Sequence, residues 1–478
     1  MPDDLLTGCL PLAATKRANT LKKIPEAWRL TPVDLEKAKG QRDLTGPFIQ
    51  QFLTADEVSI TSKESVDIVN DIKGGKLTAV QVTTAFCKRA AVAHQINNCL
   101  HEIFFDKALA RARELDAYYA DTGTTTGPLH GLPISLKDQF HVKDVETTMG
   151  YVGWIGEKLG VEEPSQAHLV ESQITTELLS LGAVLFCKTS LPQTLLFGET
   201  KNNIIGQTLN PHNQNLSCGG SSGGEGALQA LRGSTLGLGT DIGGSVRIPA
   251  AFNGIFSLKP KPERLSYCDV ANTNPGQNTY RSTVGFLSTS LAFLLADGAH
   301  DVHGHLDRSG EPLIPDLQKT FQLRPPIPLL EYQDLTLEGL EYELAYSDYW
   351  NSTAAVDGQI VDAVIMPVAP HSAVIPGKYY HTAYTEVINL MNYSAAVIPV
   401  TKADKSVDLV DDSYQPLSEI DKLNWDAYDP ETYHGAPVGV QLVARKFEEE
   451  KILAIADIVT SALRTHRNKW ATSLLRIL

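Results

Sequence analysis

No apolar run in this 478-residue chain approaches the ~18 residues that a membrane-spanning helix needs, and Leu291–Ala296 is among the longest. A spanning helix is therefore not expected. Positive charge is also in deficit: 41 Lys and Arg against 56 Asp and Glu leave a net charge of −15. That excess repels phosphate backbones and anionic lipid, so neither nucleic acid nor a membrane surface is an expected partner. Cysteine is sparse. Cys9, Cys87, Cys99, Cys187, Cys218 and Cys268 form no C-x-x-C pair, and no His stands at zinc-finger spacing, which excludes a disulfide scaffold and a zinc ribbon. Free thiols point to a reducing compartment, the cytoplasm. Leu6-Thr7-Gly8-Cys9 has the look of a lipidation box, but Asp3 and Asp4 stand where a positive segment belongs, and Gly8 and Pro11 break the apolar run. A secretory leader is not expected. The chain also lacks a fixed-period repeat, a low-complexity tract and an H-E-x-x-H pair.

What is present is an ordinary globular composition, with 42% apolar and 20% charged residues. Residues 1–55, with Pro25, Pro32 and Pro47, read as a strap or helical preamble, and 56–478 as one domain. Thr78 caps an expected amphipathic helix that Asn97-Asn98 closes, a second helix runs from Asp106 to Ala120, and EEEKILAIADIVTSALRTH forms a terminal helix. Short apolar runs follow helical text at 131–136, 182–187, 363–366, 396–399 and 438–443. This alternation predicts an α/β fold in which helices cover both faces of a large mixed central sheet.

The most unusual stretch is Cys218–Lys259, where Gly219, Gly220, Gly223, Gly224, Gly243 and Gly244 surround Ser221, Ser222 and Ser245. Backbone so rich in glycine can aim several N–H groups at one anion. A phosphate cradle needs a lysine directly after the glycines, and Glu225 stands there instead. Gly219-Gly220-Ser221-Ser222-Gly223 fits the G-x-S-x-G pattern of a nucleophile elbow, yet NPHNQNLSC upstream is turn-like rather than a strand. The remaining reading pairs a serine nucleophile with a lysine base.

Gly-Gly-Ser-Ser-Gly-Gly followed by Thr-Asp-Ile-Gly-Gly-Ser-Val-Arg resembles the signature of the amidase signature family of serine hydrolases, and GLPISLKD at 131–138 resembles its lysine element. KTSLPQT at 188–194, the Asn210-Pro211 turn and YHGAPVGVQLV at 433–443 fit as well. The wording is most similar to the fungal acetamidase type of general amidase, and fatty acid amide hydrolases share GGSSGGEG and GLGTDIGGS. The resemblance implies a single amidase-signature domain and a catalytic triad of Lys137, Ser221 and Ser245. Ser245 would be the nucleophile, Ser221 a relay held by a cis peptide, and Lys137 a base kept neutral by burial. Ile242, Gly243, Gly244 and Ser245 would aim N–H groups at the oxyanion, with the helix SVRIPAAF adding its N-terminal charge. Ser222 would support the loop, Asp241 and Arg247 would pair as scaffold, and Leu195 would stand near the acyl pocket.

The implied activity is cofactor-free and metal-free hydrolysis of small amides such as acetamide to carboxylate and ammonia through an acyl-enzyme. A fatty acid amide hydrolase, a tRNA-dependent amidotransferase subunit and an inactive remnant are the alternatives; the negative charge opposes the amidotransferase. A homodimer is the base-rate expectation. His130 reads as a packed or hydrogen-bonded residue rather than a base. Asp297, His300, Asp301, His303, His305 and Asp307 read as a solvated loop, not a metal site. After Val284-Gly285-Phe286 the text departs from the family: Phe286 replaces a usual Pro, and several tens of core residues are missing near 287–297. Missing strands would leave apolar faces exposed.

Overall fold

The computed structural model describes residues 6–156, 170–273, 282–284, 300–355 and 358–474. Its strands, in chain order, are β1 (Leu100–Ile103), β2 (Pro133–Lys137), β3 (Val184–Thr189), the hairpin pair β4 (Lys201–Asn202) and β5 (Gly206–Gln207), β6 (Gly237–Leu238), β7 (Thr240–Asp241), β8 (Ser257–Lys259), β9 (Thr283–Val284), β10 (Val364–Pro367), β11 (Ser394–Lys402) and β12 (Pro437–Ala444). All five apolar runs expected to be strands are strands. A mixed sheet has the order β1-β3-β2-β6, with β3-β2 and β2-β6 parallel and β1-β3 antiparallel. Among the described residues a second, antiparallel sheet has the order β10-β12-β11-β8, and β7 pairs with β9. Helix Gln173–Ser180 lies on the crossover between the parallel strands β2 and β3.

Helix Ala79–Asn97 opens with a capping box between Thr78 and Gln81 and closes on Asn98, whose φ of 56° is left-handed. The sequence reading made it amphipathic, whereas 14 of its 19 residues are buried. Its run of alanines lets neighbours approach from all sides, and even Arg89 is buried, donating to Leu231 O at 2.8 Å and Thr61 Oγ1 at 2.7 Å. The helix is thus the centre of the larger core, packed with Ile134 and Leu136 of β2 and Phe186 of β3. Helix Leu6–Lys22 reaches that core through Lys16, which pairs with Glu102 of β1.

Two regions differ from the sequence reading. Residues 300–307, taken as a loop, form a helix, because Val302 and Leu306 at i and i+4 bury one face beside Tyr151 and Trp154. His305 there accepts from Trp154 Nε1 at 3.0 Å, and His303 lies against Phe321 O at 2.8 Å. Asp297 and the shortening near 287–297 lie outside the described residues.

Helix Leu329–Ser352 buries only Trp350, and Leu337, Leu340 and Leu344 are 58%, 57% and 64% exposed on one stripe. Such a stripe drives non-specific association. Changing Leu337 and Leu344 together to Gln is expected to reduce concentration-dependent light scattering without lowering the unfolding midpoint; a lowered midpoint would show that the stripe is packed.

Candidate active site

Lys137 ends β2, a strand buried at all five positions, so its ammonium is placed where charge is poorly solvated. Burial lowers its pKa to about 7, against the opposing pull of Asp241 and Glu225. Its Nζ donates to Ser221 Oγ at 2.8 Å and to Thr240 Oγ1 at 2.9 Å. Ser221 Oγ donates to Ser245 Oγ at 2.6 Å, and the Ser221 backbone N–H donates to the same oxygen. Lys137, Ser221 and Ser245 are therefore one continuous hydrogen-bonded chain, and they are 1%, 2% and 4% exposed.

The loops that deliver the serines follow from glycine. The Gly220–Ser221 peptide is cis. A Cβ at Gly220 would stand 2.4 Å from Phe197 O and 2.7 Å from Glu199 O, so no larger residue fits. Gly244, just before Ser245, has φ of +125°. Ser222 ties the two loops: its N–H donates to Ser245 O at 3.0 Å and its Oγ to Thr240 O at 3.1 Å.

Asp241 organises the second loop. Its carboxylate accepts from Gly244 N at 2.7 Å, Val246 N at 2.8 Å and Arg247 N at 3.2 Å, with Arg247 Nη2 at 3.5 Å. The expected Asp241–Arg247 pair is present, and Arg247 also donates to Gln441 Oε1 of β12 at 3.0 Å and to Asn389 Oδ1. The same contacts correct the oxyanion reading. The N–H groups of Gly244, of Val246 just before helix Arg247–Asn253 and of its first residue Arg247 are spent on Asp241, because a carboxylate takes bonds a helix N-terminus leaves unmade. The N–H groups of Gly243 and Ser245 carry no hydrogen bond among the described residues. Ile242 turns its side chain onto Leu196, and Leu195, with φ of 64°, is buried beside Met149, Tyr151 and Leu191. Those apolar neighbours make Leu195 a core residue.

Three residues to which the sequence reading gave no role surround this chain: Thr240 touches it directly, Gln139 through Thr240, and Glu225 acts on Lys137 by its charge. Thr240 meets Lys137, Gln139 Oε1 accepts from Thr240 Oγ1 at 2.5 Å, and Glu225 accepts from Ser135 Oγ at 2.8 Å and Thr189 Oγ1 at 3.1 Å. Burial pushes the Glu225 carboxyl up to about 7. Only the parallel register of β2 and β6, with Leu136 opposite Leu238, brings Thr240 beside Lys137 and Gln139. His130 is not part of the site; its Nδ1 accepts from Thr126 N at 3.0 Å. A cavity of about 470 Å³ beside helix Leu6–Lys22 is lined by residues such as Arg17, Arg29 and His94, and by none of Lys137, Ser221 and Ser245.

This α/β scaffold is shared with enzymes that cleave amides. A solved fatty acid amide hydrolase superposes with a TM-score of 0.85 at 26% identity, covering 95% of each chain, and a solved amidase with 0.63 at 21% identity, covering 84% of this chain and all of that one. The chain belongs to the Amidase family, whose sequence pattern matches residues 81–295 and 321–453, and is an amide-hydrolysing enzyme. Acetamidases of Emericella nidulans and Aspergillus oryzae are each 38% identical, over 95% of this chain and 98% of theirs. The first of these alignments spans 550 positions, whereas 95% of 478 residues is about 454, so about 96 positions of the alignment face no residue here.

Proposed function

We propose that this chain hydrolyses small monocarboxylic amides, acetamide-like, to carboxylate and ammonia, with Ser245 as nucleophile, Ser221 as relay and Lys137 as base. The observation that carries the reading is the unbroken contact from Lys137 Nζ through Ser221 Oγ to Ser245 Oγ in a buried site. Hydroxyl protons rotate, so with Lys137 neutral the chain reverses: Ser245 O–H donates to Ser221 Oγ, and Ser221 O–H to the Nζ lone pair. Ser245 Oγ attacks the carbonyl carbon as its proton passes to Ser221 and the proton of Ser221 passes to Lys137. The unspent Gly243 and Ser245 N–H groups are the donors placed for the oxyanion. When the C–N bond breaks, the proton returns from Lys137 through Ser221 to the leaving nitrogen, ammonia departs, and water repeats the cycle on the acyl-enzyme.

A cytoplasmic setting fits the six free cysteines, and among the described residues no helix is long and apolar enough to cross a membrane. The high TM-score with a fatty acid amide hydrolase favours longer acyl amides as the second reading. Ammonia release from acetamide, longer aliphatic amides and aromatic amides separates the two. Preference for acetamide supports the first reading, preference for long chains the second, and no turnover from folded protein rejects both in favour of a remnant.

The base sets the pH dependence. Below its pKa Lys137 is an ammonium and cannot accept a proton, so kcat/KM is expected to rise with pH and reach half its plateau near pH 7. Glu225 pulls the lysine upward, so Glu225→Gln is expected to move that half-point to lower pH. A kcat/KM profile flat from pH 5 to 9 would refute Lys137 as the base.

A further inference from the structure

Beyond the triad, the side chains behind Lys137 fix which way its protons point. Gln139 Nε2 donates to Ala271 O at 2.5 Å and to Tyr267 Oη at 3.0 Å. A backbone carbonyl can only accept, so this contact determines which end of the Gln139 amide faces Ala271. Oε1 then faces Thr240 Oγ1 at 2.5 Å, and the Thr240 hydroxyl must spend its single proton on it. Toward Lys137, 2.9 Å away, Thr240 is left with lone pairs alone and can only accept. Gln139 and Thr240 are 1% and 5% exposed, so water does not compete for these groups.

We propose that Gln139 and Thr240 are positioning residues that hold one N–H of Lys137 in both of its protonation states, so that the lone pair of the neutral amine never turns to Thr240 and stays available to Ser221. The inference rests on Lys137 being the base. Neither residue touches substrate; each acts through the lysine. If the Gln139 amide were removed, the Thr240 hydroxyl would be free to donate to Nζ, and the lone pair would be occupied in the wrong direction. The loop supplying Ala271 and Tyr267 is fastened by the Phe140–Val270 bridge and by Ala271 N–H donating to Gln139 O at 3.0 Å, so this acceptor is fixed by backbone.

The charged and titratable groups around Lys137 are Glu225 on helix Gly223–Ala230, Asp241 on β7 and, through Gln139, Tyr267. None of them is changed by Gln139→Met or Thr240→Val, so those variants test direction rather than charge. Both are expected to lower kcat/KM by about 10- to 100-fold, mainly through kcat, while Thr240→Ser, which keeps the hydroxyl, stays within about 3-fold of wild type. Gln139→Glu, which keeps the acceptor and adds negative charge, is expected to shift the acidic limb of the pH profile upward. Folding of each variant is checked by circular dichroism.

Wild-type rates and an unmoved pH limb in folded Gln139→Met and Thr240→Val overturn the inference. So does a Thr240→Ser rate as low as that of Thr240→Val, which would mark a packing role of the methyl group. Lys137→Ala, measured in parallel, keeps the two readings apart. An active Lys137→Ala defeats the proposed base itself, whereas an inactive one beside unaffected Gln139 and Thr240 variants defeats the positioning role alone.

Discussion

Ser245→Ala and Lys137→Ala are each expected to lower amide turnover by on the order of 10³-fold or more, with the double variant losing little beyond either single one. The reason is geometric. Ser245 Oγ receives both the hydroxyl and the backbone N–H of Ser221, so no other side-chain oxygen on this loop is poised to replace it. In the proposed mechanism Lys137 Nζ, in contact with Ser221 Oγ, is the terminal proton acceptor of a chain that carries no second base. Removing any member leaves the proton of the nucleophile without a destination, which is why the effects should not add. Ser221→Ala breaks the middle of the same chain but leaves its backbone N–H on Ser245 Oγ, so a loss smaller than for Ser245→Ala is expected. The measurement is ammonia release at pH 8, where Lys137 is largely neutral, with folding verified by circular dichroism. Turnover within tenfold of wild type in either Ser245→Ala or Lys137→Ala would reject the triad.

Local patterns made much of this legible from residues alone. The strands were readable because they are short apolar runs between helices, and β2, β3, β10, β11 and β12 all lie on such runs, although β10 is not buried as the runs suggested. The serine block and the lysine element were readable because their glycines and polar residues break those patterns. What depends on tertiary pairing was hidden. Nothing in the text of GLPISLKDQ or GLGTDIGG tells that β2 and β6 run parallel in the register that joins Gln139 to Thr240. The carboxylate of Asp241 looked like half of an ion pair, and its three backbone acceptances, which leave fewer oxyanion donors than expected, required the loop to be seen folded. Helix Ala79–Asn97 misled for a related reason: small residues read as a polar face when their neighbours are unknown, yet alanine is what permits close contact on every side.

Asp241→Ala is expected to cost about 3–5 kcal/mol of stability, read as a lower urea midpoint, because it removes one partner of a buried charge pair. Asp241 is 1% exposed and Arg247 is fully buried. Burial pushes the Asp241 carboxyl upward, while Arg247 and the N–H groups of Val246 and Gly244 pull it back. Alanine would strand the N–H groups of Gly244, Val246 and Arg247 and leave a guanidinium whose remaining acceptors, Gln441 and Asn389, are neutral. Asp241→Asn keeps an oxygen for some of those donors and should lose less. The substitution also acts on the chemistry, since the carboxylate raises the pKa of Lys137. Its removal should therefore move the acidic limb of kcat/KM to lower pH, even as the loosened loop lowers the plateau. A mutant that unfolds within about 0.5 kcal/mol of wild type would mean that the serine loop keeps its shape without this carboxylate. The freed Gly244 N–H would then rejoin Gly243 and Ser245 as an oxyanion donor, and activity should rise rather than fall.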